Sequence, residues 1–300
     1  MSAGALLLIG GSEDRLHQKQ ILARFVALSG GANASIVVMT AASRAGDRIW
    51  TAYDQAFGAL GVQQRRPLHI DSRAQAGDAA LLAAVSAADG IYLSGGDQNR
   101  LLALTGGTAL HAAIRSALLR GACVAGTSAG ASAMSARMIA DGKTGPRPQK
   151  GVVGLADGLG LVPHAVIDQH FSERQRLARL LSVVAEHPHL LGVGIDEDTA
   201  LQIGGDGAID VVGAGAVTLV DGRALVSNLA DIADDATPSL LDVRLHLLAA
   251  GSRYLAVASP ETGAGADAAR GLLAGVIALL GSVAGAAHAT AQATLPGPAA

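Results

Sequence analysis

Gly126-Thr127-Ser128-Ala129-Gly130 places a serine between glycines at a point where the chain changes texture. The apolar run Ala122-Cys-Val-Ala125 before it reads as a strand, and Ala131-Ser-Ala-Met-Ser-Ala136 after it reads as a helix. A nucleophile elbow requires this strand, sharp turn and helix. The hydroxyl stands at the apex, the glycines let neighbouring elements pass close, and the helix start offers free backbone N–H groups. The same five residues also suit a serine that only caps a helix. The motif therefore needs a partner base before it means acyl transfer.

Val166-Ile-Asp168-Gln169-His170-Phe171 supplies one. Its apolar start reads as a strand that delivers three polar side chains at its end. The segment from Glu173 to Glu186 alternates as a helix and carries Arg174, Arg176 and Arg179 near its start. Arg176 and Arg179 are three apart and share a helix face. An isolated histidine is commonly structural and a basic face commonly just solvated. Three guanidiniums beside a histidine also read as a carboxylate clamp, because the planar fork binds carboxylates in bidentate fashion. Serine, histidine and clamp together point to acyl transfer on an anionic substrate.

These groups need a scaffold, and the preceding chain alternates strand-like and helix-like segments. Ala5 to Ile9, Ser35 to Thr40, Pro67 to Ile70 and Ile91 to Ser94 read as strands. Arg15 to Leu28, Arg48 to Leu60, Ala79 to Ala88 and Leu110 to Leu119 read as helices. This predicts an α/β fold: a doubly wound, mainly parallel sheet with helices on both faces and its site at the carboxyl ends of the strands. Gly10-Gly11, Gly95-Gly96 and the elbow fall on that edge. From Thr199 to Ile203, Ala208 to Val212 and Ala216 to Val220, short β-like runs predict antiparallel strands appended to the sheet. A single domain is expected over 1–260, followed by a terminal helix and an Ala/Pro-rich, partly disordered tail over 261–300.

The 300 residues are half apolar but only 2% aromatic, so the core must come from Ala, Val, Leu and Ile. A formal net charge of −3 argues against nucleic-acid or anionic-membrane partners. The start lacks a basic stretch and a long apolar run, and Gly271 to Ala287 is too short to span a bilayer. A cytoplasmic protein without a membrane partner is expected. The single Cys123 excludes an internal disulfide and reads as a buried, inert thiol. No cofactor and no metal are expected, since His187 and His189 flank Pro188 without carboxylates at ligand spacing.

Taken together, the blocks resemble the cyanophycinases, serine peptidases with a fold like aspartyl dipeptidases and class I glutamine amidotransferases. The shared blocks are Ile9-Gly-Gly-Ser-Glu-Asp14, Leu93-Ser-Gly-Gly-Asp-Gln98, Gly126 to Ser132, Asp168-Gln-His-Phe171, Arg174 to Arg179, Gly194-Ile-Asp-Glu-Asp198 and Val243-Arg-Leu-His246. The resemblance implies hydrolysis of cyanophycin, a poly-aspartate bearing arginine on each β-carboxyl, to β-Asp-Arg dipeptides by an exopeptidase, and it implies a homodimer. It assigns Ser128 as nucleophile and His170 as general base, with Gly96 and Ala129 amides forming the oxyanion hole. Gln98, Asp168, Gln169, Arg174, Arg176 and Arg179 match substrate-contacting positions, and Asp168 could hold the substrate guanidinium. Asp196 and Glu197 fit a structural role near a strand end at least as well as a catalytic one.

One departure stands out. The resemblance implies a glutamate between serine and histidine that orients the imidazole, and Pro146 stands at the matching position. Asp141 and Asp157 are the nearest acids. Three accounts follow: another acid such as Asp141 substitutes, the histidine works unaided at a reduced rate, or the chain is a non-catalytic relative that binds Asp-Arg oligomers. Survival of the serine, histidine and arginines favours the first two. A related α-aspartyl or isoaspartyl dipeptidase is the competing specificity. An α/β-hydrolase is the weaker rival, because its late histidine would have to be His246 or His288, in helical or tail-like contexts.

Overall fold

The computed structural model describes residues 3–205 and 207–254. In chain order the first half runs β1 (Leu6–Ile9), α1 (Gln20–Leu28), β2 (Ser35–Met39), α2 (Gly46–Ala59), β3 (Gln64–Leu68), α3 (Ala79–Ser86), β4 (Gly90–Leu93), α4 (Gln98–Thr105), α5 (Ala109–Arg120), β5 (Cys123–Thr127) and α6 (Ala129–Ala133). The second half is richer in strands. It contains β6 (Arg137–Gly142), β7 (Val153–Asp157), β8 (Ala165–Gln169), α7 (Leu177–Glu186), β9 (Leu191–Ile195), β10 (Thr199–Ile203), β11 (Ile209–Gly213), β12 (Ala216–Asp221), β13 (Val226–Ser227), β14 (Leu240–Leu241), β15 (Arg244–Ala249) and β16 (Arg253–Tyr254).

An eight-stranded sheet ordered β16-β11-β10-β1-β5-β4-β2-β3 forms the centre. Neighbours from β1 to β3 pair in parallel, and β10, β11 and β16 add antiparallel beyond β1. Period-two alternation sends Leu6 and Leu8 into one apolar layer and Leu7 and Ile9 into the other, so both faces are covered. Pro67 is tolerated because β3 is an edge strand. Local chemistry marks the helix ends. Asp78, Asp97 and Thr108 accept backbone N–H groups at the starts of α3, α4 and α5, and Gly121 adopts φ 111° just past α5.

A doubly wound, mainly parallel sheet with antiparallel additions is therefore present, but it is not alone. β8, β9, β12 and β15 form a separate four-stranded sheet, so the strand that delivers His170 does not belong to the central one. The two share an apolar layer that includes Val124 and Ile203 from the first and Ile167, Val193 and Val217 from the second. β6 and β7 form an antiparallel hairpin beside them.

Four expectations are corrected. α1 begins at Gln20, not Arg15, because the Asp14 carboxylate collects the N–H groups of Leu16, His17, Gln18 and Lys19 into a turn. α7 begins at Leu177, not Glu173, because Arg174, Gln175 and Arg176 donate their N–H groups within a tight turn begun at His170. Of the late β-like runs, the one from Ala216 lies in the second sheet rather than on the first. His246 sits in strand β15, not in a helix or tail. The helix and tail expected over 261–300 lie outside the described residues.

Candidate active site

Strand register brings the sequence blocks together. β1 and β5 run parallel with Ile9 opposite Thr127, so Gly10-Gly11 and Ser128 leave the sheet side by side. β8 and β9 run parallel with Gln169 opposite Ile195, so His170 and the 196–198 turn also leave together. Three backbone hydrogen bonds stitch the edges: Ser128 N–H to the Ile9 carbonyl at 2.9 Å, His170 N–H to Gly10 at 2.8 Å, and Asp198 N–H to Gly11 at 2.9 Å.

The elbow has the strain that its role demands. Ser128 has φ 51° and ψ −113°, outside the regions favoured by residues with a β-carbon. A β-carbon on Gly126 would lie 2.5 Å from the Gly130 carbonyl oxygen, so the two glycines exist to close this turn. His170 is also left-handed, at φ 48°. Its ring packs so tightly over Gly11 that a β-carbon there would lie 2.6 Å from Nε2. Gly11 itself has φ 105°. Gly11→Ala is expected to push the ring off the serine and lower kcat by roughly 100-fold, as a displacement near 1 Å does. Steady-state kinetics on a variant shown to be folded by circular dichroism would check this.

The side chains form a relay. Ser128 Oγ lies 2.9 Å from His170 Nε2 and 3.4 Å from Gln169 Oε1, so the hydroxyl proton has its better acceptor in the imidazole. His170 Nδ1 lies 2.5 Å from Glu197 Oε1. With Nδ1–H donated to that carboxylate, Nε2 is free to accept from serine. Hydrogen bonding to His170 holds the Glu197 carboxyl below its ordinary value, helped by the imidazole charge, the Ser12 hydroxyl and the Arg174 guanidinium. The acid that seemed missing is thus Glu197, which follows the histidine instead of preceding it. Asp141 is spent in the hairpin, accepting Gly154 N–H at 3.0 Å, and Asp157 pairs with Arg137 at 2.7 Å. Pro146 lies near Pro148, Gln175 and Leu177 around a shallow cavity of about 260 Å³.

Neighbouring Asp196 does the structural work. Its Oδ1 accepts from Ser172 N–H and Oγ, and its Oδ2 from Ala216 N–H. The 196–197 pair therefore divides its labour, one carboxylate bracing the turn and one facing the imidazole.

On the other side of the serine, Ala129 opens α6, and the first N–H groups of a helix have no partner within it. The Gly95-Gly96 turn packs against Ser128, with a β-carbon on Gly95 falling 3.4 Å from the serine Cβ. Gln98 stands at the start of α4 and donates Nε2 to the Ile139 carbonyl at 3.1 Å, tying that helix to the hairpin.

The arginines separate into two roles. Asp168 is only 1% exposed. It accepts from Arg176 Nη1 at 3.2 Å, from Arg179 Nε at 2.9 Å and from Arg179 Nη2. Arg176 also donates to the Gln169 carbonyl, and burial pushes its guanidinium down to about 10. Asp168, Arg176 and Arg179 are therefore a buried ion cluster beneath the site rather than an open clamp. Gln169 is buried beside the serine, and Arg174 alone of the three arginines is exposed. Asp168→Ala would leave two buried guanidiniums without a counter-ion. It is expected to cost about 3–5 kcal/mol in chemical unfolding.

A serine on a strained elbow, a histidine within its reach and a carboxylate behind the histidine form the constellation of a serine hydrolase. The model of peptidase family S51 matches residues 6–211. The chain belongs to peptidase family S51. The chain is also similar to a cyanophycinase of Geminocystis herdmanii, 40% identical over 252 residues that cover 83% of this chain and 93% of the relative. A cyanophycinase of Synechococcus elongatus is 41% identical over 253 residues, 84% of this chain and 79% of its own. A crystal structure of a peptidase from an acI-B1 actinobacterium shares the fold, with a TM-score of 0.61 at 24% identity over 84% of this chain and 96% of that one. Glu197, the fourth residue of the Gly194 to Asp198 block, faces the imidazole, while its neighbour Asp196 braces the strand end.

Proposed function

We propose that this S51 peptidase hydrolyses cyanophycin from a chain end to β-Asp-Arg dipeptides, through an acyl-enzyme on Ser128. The chemistry rests on the Ser128–His170–Glu197 relay. The choice of substrate rests on one observation, the near full-length similarity to cyanophycinases.

In this reading His170 Nε2 takes the serine proton as Oγ attacks the scissile carbonyl. Ala129 and Gly96 N–H groups receive the oxyanion. The imidazolium returns its proton to the leaving amine, and water repeats the sequence to free the acyl group. Arg174, exposed beside Glu197, offers its fork to a substrate carboxylate. Gln98, Asp168, Gln169, Arg176 and Arg179 serve the same substrate by shaping the wall behind it. The reading as a non-catalytic binder was motivated by the missing acid, and the relay to Glu197 removes that motive. We further propose a single cytoplasmic domain over 1–260 working as a homodimer, without nucleic-acid or membrane partners. Among the described residues no single helix is long and apolar enough to cross a membrane.

The test is incubation of purified protein with cyanophycin and with α-Asp and β-Asp dipeptides, reading released products by mass spectrometry. β-Asp-Arg from the polymer is expected. Turnover of dipeptides with no attack on polymer would instead favour a dipeptidase, and binding of polymer without turnover of anything would sink the enzymatic reading.

A further inference from the structure

Behind the nucleophile lies a carboxylate that none of the acyl-transfer steps uses. Glu13 is only 4% exposed. Its Oε1 accepts from Tyr92 Oη at 3.0 Å and from Tyr53 Oη, and its Oε2 accepts from Thr127 Oγ1 at 2.5 Å. These partners are all hydroxyls, and among the described residues no ion pair includes Glu13. Burial and the Glu13 charge push both phenols well above their ordinary value, so they remain protonated donors. A buried carboxylate without a cation is costly unless every donor is held on it. The cost makes the cluster stiff, because none of the three hydroxyls can turn away cheaply.

Its location relates that stiffness to the relay. Thr127 is the last residue of β5 and the direct neighbour of Ser128. Two residues before Glu13, Gly11 lies under the His170 ring, and between them the Ser12 hydroxyl helps hold the Glu197 carboxyl below its ordinary value. Ser12 and Ser128 both have φ 51°, a conformation that persists only where surroundings enforce it. One carboxylate therefore ties the loop that touches His170 and Glu197 to the strand end that presents the nucleophile. Tyr53 on α2 and Tyr92 on β4 anchor it to the core beneath, where they meet Phe25 and Phe57.

We infer that Glu13 is a positioning residue for the nucleophile, its buried charge setting the approach of Ser128 to His170 through Thr127. This rests on the assignment of Ser128 as nucleophile, and the experiment separates the two. Wild type, Glu13→Gln, Thr127→Val and Thr127→Ser are compared in the rate at which phenylmethylsulfonyl fluoride sulfonylates Ser128, in kcat and KM on cyanophycin, and in thermal unfolding. Thr127→Val keeps the side-chain shape without the donor, so it serves even if Glu13→Gln fails to fold.

Sulfonylation and kcat are expected to fall roughly 10- to 100-fold in Glu13→Gln and Thr127→Val with KM unchanged. Thr127→Ser, which restores the hydroxyl, is expected to recover most of the loss. Folded variants with wild-type rates and only a lowered melting temperature would reduce Glu13 to a structural residue and overturn the inference. Wild-type protein that is not labelled at Ser128 would overturn the nucleophile and this inference with it.

Discussion

Ser128→Ala is expected to lower kcat on cyanophycin by roughly a millionfold, the scale on which an unrelated serine peptidase fails when its nucleophile is removed. The argument is geometric. Among the described residues Oγ is the one nucleophilic atom within 2.9 Å of His170 Nε2, and alanine leaves the imidazole with nothing there to deprotonate but water. KM should change little, because the hydroxyl contributes to the transition state more than to ground-state binding. The double variant Ser128→Ala/His170→Ala should be no worse than either single one, since residues that act as a unit lose their effect together. Progress curves of dipeptide release from wild type and variants check both points. A Ser128→Ala protein that turns over polymer at more than a trace would remove the acyl-enzyme route.

How far the sequence carried this site depended on the range of the signal. The elbow was legible because its requirements are local: a strand, Gly126, Ser128, Gly130 and a helix start lie within ten residues. His170 at a strand end was legible for the same reason. Glu197 was not, although its block was recognised. Its role depends on β8 and β9 pairing in parallel with Gln169 opposite Ile195, which carries residue 197 to the ring of residue 170. Nothing in the neighbourhood of Glu197 distinguishes it from Asp196, whose carboxylate braces the turn. Searching before the histidine for an acid led to Pro146 and Asp141, both in or beside the hairpin and away from this pairing.

The arginines failed in a related way. Their spacing was read as a free helix face, but Arg176 precedes the helix and points with Arg179 at Asp168, a partner on a strand. Hydrophobic runs gave strands reliably, as the buried pattern of β1, β4 and β5 shows. They did not say which of two sheets a strand joins, because a run such as Ala216 to Val220 is equally apolar in either. The turn held by Asp14 was lost to a helix reading because Arg15 to Leu28 keeps helical spacing throughout, and only a carboxylate accepting four N–H groups reveals the break.

Glu197→Gln is expected to lower kcat by about four orders of magnitude, the loss that follows when a serine-peptidase histidine loses the carboxylate that fixes its tautomer. The glutamine amide can present an N–H to Nδ1. That would favour the tautomer whose proton sits on Nε2, pointing it at the serine that must be deprotonated. Binding should survive, so KM is expected to move far less than kcat. The carboxylate also has a pH signature. Its folded-state value lies below the ordinary 4.5, chiefly through the hydrogen bond with His170. A lowered folded value means that Glu197 stabilises the fold above the unfolded value and loses that contribution as pH falls through the folded one. Unfolding of wild type and Glu197→Gln compared from pH 7 to pH 3 should therefore show a wild-type advantage that is flat near neutrality and narrows only below about 4.5. A kcat within tenfold of wild type would show that His170 works without Glu197 and would overturn this assignment.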